Sequence, residues 1–373
     1  MRRALELAER GLFTTDPNPR VGCVIVKDGA IIGEGSTQPP GGHHAEIEAL
    51  SDARARGHDA RGATLYVTLE PCSHFGRTPP CADALITAGI ARVVAAMEDP
   101  NPLVSGRGFE RLRAAGIEVE IGQLADEALD LNIGFVSRMT RGVPWVRMKL
   151  AASLDGMSAL PNGTSQWITG EAARVDGHAW RARASALLTG IGTVKIDDPQ
   201  FDVRHVATPR QPLRVLIDSR LEVATGARIV RGVHEGKALL VVHAAHDADK
   251  ERALHDAGCQ TLCLPNASGK VDLAALMTEL GRRDVNELHV EAGSQLNGSL
   301  IRERCVDELL AYFAPCFLGA AQTMLALPVV NDLDGRIALH YREAVLMGAD
   351  LRVRAWFERA SPMPASHRII ERN

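Results

Sequence analysis

Three residues early in the chain have the types and spacing of a catalytic zinc site. His44 stands two residues before Glu46, Cys72 directly follows Pro71, and Cys81 lies further along the same stretch. One imidazole and two thiolates fill three of the four tetrahedral positions around Zn²⁺ and leave the fourth for water. A water in that position has its pKa lowered to about 7. The donor set therefore predicts a hydrolytic zinc enzyme.

Glu46 is the expected proton carrier of this site. A pattern of His-x-Glu, then Pro-Cys and a second Cys, is typical of zinc deaminases that act on nucleobases. We expect the activated water to attack an amine-bearing ring carbon, while Glu46 carries its proton to a ring nitrogen and then to the departing amine. His43 offers the same kind of ligand, but the spacing to Glu46 favours His44. The plainer alternative is that Cys72 and Cys81 are structural thiols beside a surface histidine.

Composition limits the remaining possibilities. The chain has 373 residues, of which 46% are hydrophobic and 24% charged, as in ordinary globular proteins with two or three domains. A net charge of −4 gives no attraction to nucleic acid or anionic membranes. No apolar stretch reaches membrane-spanning length, Met1-Arg2-Arg3 leads directly into an amphipathic pattern, and the seven cysteines are sparse and odd in number. We therefore expect a cytoplasmic location.

Periodicity in the first third predicts an α/β/α layer domain. Asp28-Gly29 marks a tight hairpin, and the metal-ligand candidates fall at helix starts and at the carboxyl end of a strand. Arg141-Gly142-Val143-Pro144 reads as the linker. The expected helices cover residues 2–11, 44–56, 81–88, 108–115 and 125–139, and the expected strands 21–26, 30–33, 63–69, 91–97 and 117–121.

The second half predicts another α/β domain, with a mainly parallel sheet and antiparallel strands near its end. Thr169 is the expected N-cap of a helix over 170–184. Gly190-Ile191-Gly192-Thr193 stops short of a dinucleotide fingerprint, so glycines there and at Gly293 and Gly298 either approach phosphates or simply form turns. The expected strands are 145–151, 186–189, 213–217, 238–242, 260–264, 287–291, 308–314, 341–347 and 351–357.

Several longer motifs carry a resemblance to a known family. They are Thr15–Gly22, the wide-spaced loop Pro71–Cys81 (Pro-Cys-Ser-His-Phe-Gly-Arg-Thr-Pro-Pro-Cys), Glu98–Pro102, Lys149–Gly156, Ser165–Thr169, Thr193–Pro199 and Glu291–Gly293. Across about residues 1 to 358 the chain resembles the bifunctional riboflavin-biosynthesis deaminase-reductases. The resemblance implies a cytidine-deaminase-like domain over 1–142 and a dihydrofolate-reductase-like domain over 143–360. Residues 361–373 have no counterpart and are expected to form a flexible tail.

The resemblance also implies the reaction and its residues. The first domain would deaminate 2,5-diamino-6-(5-phosphoribosylamino)pyrimidin-4(3H)-one with zinc at His44, Cys72 and Cys81 and with Glu46 as proton carrier. The second would reduce the ribosyl group with NADPH to give 5-amino-6-(5-phosphoribitylamino)uracil. The implied NADPH contacts are Ala151, Trp167, Thr193, Asp197, Ser219, Gly293, Ser294, Gln295, Leu296, Asn297, Gly298 and Ser299. The implied substrate contacts are Ser165, Arg181, Phe201, Arg204 and Glu291, with Asn18, His74 and Arg77 in the first domain, where loop capping or a solvated charge explains each equally well.

Residue chemistry adds four expectations. Arg181 and Arg204 are suitable forks for a terminal phosphate. Arg220, just after the strand 213–217, could meet the 2′-phosphate of NADPH. Lys149 or Asp155 could protonate the ring-opened, imine-like ribose, although a lysine at a strand start is more often merely solvated. A homodimer is expected from the resemblance alone.

One alternative function remains open at this point. The chain could be a deaminase of nucleic-acid bases whose second half is a binding module. Net negative charge and the lack of a basic or aromatic platform weigh against it. A zinc-stabilised scaffold without activity would leave Glu46 unexplained.

Overall fold

The computed structural model describes residues 1–73, 80–102 and 104–358. The described chain divides into two compact units, one comprising Met1–Arg141 and the other beginning at Gly142. The division falls inside the expected linker. The expected tail, residues 361–373, lies outside the described residues.

The first unit is built on a five-stranded sheet. Its strands are β1 (Gly22–Lys27), β2 (Ala30–Ser36), β3 (Thr64–Val67), β4 (Arg92–Ala95) and β5 (Glu118–Ile121). They lie in the order β2-β1-β3-β4-β5. β1 pairs antiparallel with β2 and β3, and β3, β4 and β5 run parallel. The predicted hairpin turn is confirmed, with positive φ at Asp28 (51°) and Gly29 (78°). The helices of this unit are α1 (Arg2–Glu9), α2 (Ala45–Ala55), α3 (Cys81–Ala88), α4 (Arg107–Ala114), α5 (Ala125–Leu131) and α6 (Ile133–Arg141).

Small residues bring α2 directly onto the sheet. Ala45, Ala49 and Ala53 are buried on one face of α2. A Cβ on Gly35 would lie 2.2 Å from the Ala45 carbonyl oxygen, and one on Gly33 would lie 2.3 Å from that of Ala49. Since only glycine permits such close approach, β2 fixes the amino end of α2, where His44 and Glu46 lie.

The prediction of a single helix over 125–139 is wrong, because Asn132 separates α5 from α6. The Asn132 side chain is buried and serves a distant backbone. Its Oδ1 accepts from Arg20 N at 2.7 Å, and its Nδ2 donates to Arg20 O at 2.9 Å. These bonds tie the helix break to the segment that enters β1.

The second unit has the strands β6 (Trp145–Ser153), β7 (Met157–Ala159), β8 (Ala186–Gly190), β9 (Leu213–Ile217), β10 (Leu239–His243), β11 (Gln260–Cys263), β12 (Glu287–Val290), β13 (Glu308–Ala314), β14 (Gln322–Thr323), β15 (Leu339–Met347) and β16 (Asp350–Phe357). Nine of them form one sheet in the order β11-β10-β9-β8-β12-β6-β13-β16-β15. β16 is antiparallel to β13 and β15, and the other pairs are parallel, which confirms the predicted arrangement. The other two strands, β7 and β14, form a separate antiparallel pair.

Six helices connect these strands. They are α7 (Glu171–Arg183), α8 (Ile191–Asp197), α9 (Arg228–Arg231), α10 (Ala248–Asp256), α11 (Leu273–Arg282) and α12 (Ser294–Arg302), with short 3₁₀ turns at Gly232–Glu235 and Leu333–Gly335. The prediction that Thr169 caps α7 is wrong. Gly170 is the N-cap, and its N–H donates to Asp350 Oδ2 at 2.7 Å. Within the described ranges, no helix has the length and apolarity to cross a bilayer.

A buried ionic cluster joins four neighbouring strands of this sheet. Arg147 on β6 pairs with Glu287 on β12 at 2.8 Å and with Glu308 on β13 at 2.9 Å. Arg354 on β16 also bonds Glu308, at 2.7 Å. The Arg147 guanidinium stacks 4.3 Å from the ring centroid of Trp180 on α7. The four strands and the helix are therefore joined by charge as well as by apolar packing.

Candidate functional site

The structure brings His44, Cys72 and Cys81 together from three elements. His44 is the N-cap of α2, Cys72 follows β3, and Cys81 is the first residue of α3. His44 Nδ1 lies 3.6 Å from Cys72 Sγ and 3.3 Å from Cys81 Sγ, and the three donor atoms lie within 4.8 Å of one another. Two such atoms bound to one tetrahedral zinc would be about 3.5 Å apart. The donor types and their spacing fit zinc.

The two thiols do not ionise equally. Cys72 receives the backbone N–H of Cys81 on its sulfur at 3.3 Å, and its carbonyl accepts from Ala82 N at 3.1 Å. The hydrogen bond with the Cys81 thiol, helped by His44 and opposed by burial, lowers the pKa of Cys72 to about 4. The same contact and burial raise the pKa of Cys81. Amides at the start of a helix stabilise a thiolate, which is the form that binds metal.

Glu46 lies in the first turn of α2 and is buried. Burial, together with the nearby Cys72 sulfur, raises the pKa of Glu46 to about 7. A carboxyl group with a pKa near neutrality can both accept and return a proton. His43, in contrast, is exposed and its Nδ1 lies 2.9 Å from Glu48 Oε1, so the cluster contains His44 and not its neighbour.

Three further residues were expected near this site. Asn18 lies on the exposed turn before β1, where its backbone N–H donates to Thr15 O at 2.8 Å. His74 and Arg77 lie outside the described residues.

The second unit has a cavity of about 1030 Å³ at the carboxyl ends of its parallel strands. That volume and position are typical of a cofactor site in an α/β fold. Most of the expected nicotinamide-cofactor residues line it, namely Ala151, Thr193, Asp197, Ser219, Gly293, Ser294, Gln295, Leu296, Asn297 and Ser299. Lys149, Ser165 and Glu291 from the expected substrate and proton-donor residues line it as well.

Two expected cofactor residues do not line the cavity. Trp167 is 69% exposed, and the guanidinium of Arg174 stacks 4.6 Å from its ring centroid. Gly298 faces the backbone, since a Cβ there would lie 2.1 Å from the Ala326 carbonyl oxygen. Close packing of α12 therefore accounts for this glycine.

The two expected phosphate forks have protein partners. Arg181 binds Glu291 through both Nε (2.5 Å) and Nη2 (2.9 Å), and its Nη1 donates to Asp202 O at 2.9 Å. Arg204 pairs with the Asp202 carboxylate. The ring of Phe201 lies under the Arg181 guanidinium, 5.6 Å from centroid to Cζ. Arg181 thus orients Glu291, and its fork is not free for a phosphate.

Glu291 is the centre of a cationic group at the cavity wall. Lys149 Nζ lies 3.9 Å from Glu291 Oε2, and His289 Nε2 lies 3.2 Å from Oε1. Burial would raise the pKa of Glu291, but Arg181 and Lys149 hold it well below its ordinary value. Burial lowers the pKa of Lys149. A permanently charged carboxylate therefore faces an ammonium group that releases its proton more readily than usual.

Asp155 does not line the cavity. Its carboxylate accepts from Gly319 N at 2.8 Å and from Leu318 N at 3.2 Å, and it also bonds the Ser153 hydroxyl. It holds the loop that follows β13.

The sequence reasoning missed Lys270, a cation that lies near Arg220 at the cavity. Arg220, after β9, and Lys270, after β11, both line it. Their loops are joined, because Val271 N donates to Ser219 Oγ at 3.3 Å. Asn266 Oδ1 accepts from the backbone N–H groups of both Ser268 (2.9 Å) and Lys270 (3.0 Å), which fixes the turn. The Asn-x-Ser-Gly-Lys sequence after a strand was the available signal.

Comparison with known proteins matches each half of the chain to a family. Residues 1–97 match the cytidine and deoxycytidylate deaminase zinc-binding region, and residues 144–350 match the RibD C-terminal domain. The riboflavin biosynthesis protein RibD of Escherichia coli K12 is 47% identical over 94% of this chain and 96% of its own length. The chain belongs to the RibD family. RibD of Haemophilus influenzae is 43% identical over 95% of each chain.

Solved structures of the family have the same architecture. Acinetobacter baumannii RibD (form 1) has a TM-score of 0.86 and 41% identity, covering 95% of this chain and 97% of its own. The Thermotoga maritima diaminohydroxyphosphoribosylaminopyrimidine deaminase/5-amino-6-(5-phosphoribosylamino)uracil reductase has a TM-score of 0.86 and 34% identity, covering 96% and 97%.

Family membership confirms the predicted resemblance and fold class. The chain is a bifunctional enzyme of riboflavin biosynthesis, with a zinc-dependent deaminase domain followed by a reductase domain. The alternative of a nucleic-acid base deaminase is not supported, because the RibD C-terminal domain occupies the half that it assigned to a binding module.

Proposed function

We propose that this chain deaminates 2,5-diamino-6-(5-phosphoribosylamino)pyrimidin-4(3H)-one and then reduces the product's ribosyl group with NADPH. The observation that supports it most directly is the His44–Cys72–Cys81 cluster beside buried Glu46, in one chain with a dinucleotide-sized cavity. The product would be 5-amino-6-(5-phosphoribitylamino)uracil.

In the deaminase half, His44, Cys72 and Cys81 would hold zinc, and Glu46 would move protons. A zinc ion in this cluster supplies Lewis-acid activation of a water molecule. Glu46 would carry one proton of that water to the pyrimidine ring nitrogen and the other to the departing amine, so that the C–N bond breaks and ammonia leaves as the C=O bond forms. Its burial excludes bulk water from competing for that proton. Asn18, His74 and Arg77 stay proposed substrate contacts.

In the reductase half, bound NADPH would be the source of the hydride that reduces C1 of the ring-opened ribose. Lys149 is the better proposed proton donor, because it lines the cavity whereas Asp155 holds a loop. Ser165 and Glu291 would contact the substrate directly, with Arg181 orienting Glu291. Phe201 and Arg204 would act on the substrate indirectly, since Phe201 lies under Arg181 and Arg204 pairs with Asp202.

NADPH, as opposed to NADH, is supported by charge at one part of the cavity. The cofactor would lie along the loops that follow β8, β9 and β12, with Trp167 and Gly298 contributing less directly. Arg220 and Lys270 lie on adjacent loops and provide two cations for the 2′-phosphate. A cytoplasmic homodimer remains part of the proposal, on the resemblance alone.

The test is NADPH oxidation by the full chain supplied with the diaminopyrimidinone ribotide. We expect NADPH absorbance to fall, and the loss to stop when zinc is removed by a chelator. Supplying the deaminated intermediate to the chelated protein should restore it, because only the first step requires zinc. Unchanged reduction of the starting ribotide after zinc removal would contradict the proposed order.

A further inference from the structure

Glu70 is a buried carboxylate, two residues before the zinc-ligand candidate Cys72, whose bonds all go to backbone. Its Oε2 accepts from Asp99 N at 3.1 Å and from Gly106 N at 2.9 Å. Its Oε1 accepts from Gly108 N at 2.8 Å and from Phe109 N at 3.3 Å. A carboxylate offers about four lone-pair positions, so these four donors fill them.

These bonds attach a separate segment of chain to the end of β3. Gly106 is the N-cap of α4, and Gly108 and Phe109 lie in its first turn. The helix dipole and the free amides there favour a negative charge. Contact is close, since a Cβ on Gly108 would lie 2.1 Å from the Pro71 carbonyl oxygen. The start of α4 is thus packed directly against Glu70 and Pro71.

Cys72 is held from the other side by α3. The Cys81 N–H donates to its sulfur at 3.3 Å, and Ala82 N donates to its carbonyl at 3.1 Å. Arg111 of α4 and Asp83 of α3 also pair, at 2.5 Å. The short stretch that carries Cys72 is therefore fixed between two helix starts, one bonded to Cys72 itself and the other to Glu70.

We propose that Glu70 is a positioning residue, whose charge holds Cys72 at the separation from His44 and Cys81 that zinc binding requires. The inference rests on the proposed zinc-dependent deamination. A glutamine at this position has the same shape but points an NH₂ group at two backbone donors. Those donors lose their acceptor, so the start of α4 withdraws and Pro71-Cys72 loses its support on that side.

The test compares Glu70→Gln with Glu118→Gln in the zinc-loaded full chain. Glu118 is the matched control because it lies in the same domain, on β5, with a side chain that is 69% exposed. We expect Glu70→Gln to release zinc to a competing chelator with about tenfold weaker affinity. With Co²⁺ in place of zinc, its thiolate-to-cobalt absorption bands should shift or weaken, whereas those of Glu118→Gln should match wild type.

Kinetics add a second readout. In Glu70→Gln the deaminase kcat should fall about tenfold or more with KM little changed, because the metal site and not the substrate contacts is altered. Reduction of the deaminated intermediate should stay at the wild-type rate, which also shows that the chain is folded. Glu70→Asp keeps the charge with a shorter reach and should recover part of the loss; it serves alone if the glutamine variant does not fold.

Wild-type zinc affinity and cobalt bands in Glu70→Gln would overturn the inference, even with lower thermal stability or activity. Equal loss in Glu70→Asp and Glu70→Gln would also overturn it, because charge would then not matter. Failure of the proposed function is distinct, since the wild-type chain itself would then bind neither zinc nor cobalt at this cluster.

Discussion

Glu46 and Glu48 both lie in the first turn of α2, yet only Glu46 is buried, beside the cluster of His44, Cys72 and Cys81. Glu48 is partly exposed and pairs with His43 at 2.9 Å. Burial raises the pKa of Glu46 to about 7, the range in which a carboxyl group exchanges protons at neutral pH. Position along α2 thus gives two neighbouring glutamates different chemistry.

Glu46→Gln should abolish most deamination while leaving zinc bound. The amide cannot carry a proton, so kcat should fall by about 10²–10⁴-fold. The three donor atoms of the cluster do not include Glu46, so metal content should stay at one zinc ion per chain. Metal analysis and ammonia release measure the two quantities, with Glu48→Gln as the matched control. Loss of zinc together with activity would show that Glu46 maintains the site instead.

Arg220 and Lys270 should determine the choice of dinucleotide. In the double variant Arg220→Ala/Lys270→Ala, kcat/KM for NADPH should fall about 10²- to 10⁴-fold, because contacts to a charged phosphate contribute about 1.5–3 kcal/mol each. kcat/KM for NADH should change little. Calorimetry with adenosine 2′,5′-bisphosphate and with 5′-AMP measures the preference for the 2′-phosphate without turnover. Lys250→Ala, an exposed lysine on α10, is the control; an equal loss with both nucleotides would exclude a role for the 2′-phosphate.

At the level of elements, local signals and distant partners explain which predictions succeeded. The bounds of α3 and β9 match the predictions, because a left-handed Gly89 ends the helix and a run of apolar residues defines the strand. Asn132 and Gly170 take partners 112 and 180 positions away in the chain. Residue types alone do not encode such pairings. The sequence therefore did not predict the break between α5 and α6 at Asn132 or the position of Gly170 as the N-cap of α7.

The same limit applies to the sites. The sequence predicted that His44, Cys72 and Cys81 lie together, because their types and spacing are characteristic of one chemistry. The sequence led us to expect that Arg181 binds a phosphate. It does not reveal that Glu291, 110 positions away in the chain, is the partner of Arg181. Glu70 directly precedes the Pro71–Cys81 loop, and the sequence gives no sign of its role, since its four donors are backbone groups that any sequence would provide.

The buried pairing of Glu308 with Arg147 and Arg354 should make the second domain sensitive to acid. Burial would raise the pKa of Glu308, but the two arginines lower it to about 2, from an ordinary value of 4.5. A depressed pKa stabilises the fold above the ordinary value, and that stabilisation is lost as pH falls from about 4.5 towards 2. Glu308→Gln should therefore cost about 3–5 kcal/mol of unfolding free energy at neutral pH.

This cost should shrink as pH approaches 2, because wild-type Glu308 is then protonated as well. Urea unfolding followed by tryptophan fluorescence is the measurement, since all four tryptophans lie at or after Trp145 and so report on the second domain alone. Glu303→Gln, exposed after α12, is the control. A pH-independent difference between Glu308→Gln and wild type would contradict the assignment.

At the level of the whole molecule, the two domains divide the work between a metal and a dinucleotide. The first has a small sheet, and a strand end and two helix starts bring His44, Cys72 and Cys81 together. The second has a wide sheet whose strand ends line the cavity. Each site uses the ends of elements, where unsatisfied backbone groups and loop residues are available for chemistry.

The order of strands in the nine-stranded sheet has a consequence for synthesis on the ribosome. β6 is the first strand of its domain to emerge, but its neighbours β12 and β13 emerge among the last, and β12 separates β6 from β8. A growing chain can pair β8 to β11 early, yet that half-sheet cannot join β6 before Glu287–Val290 has been made. The first domain completes its sheet by Ile121. The nascent protein can therefore complete the cluster of His44, Cys72 and Cys81 while the nine-stranded sheet of its second domain is still in two parts.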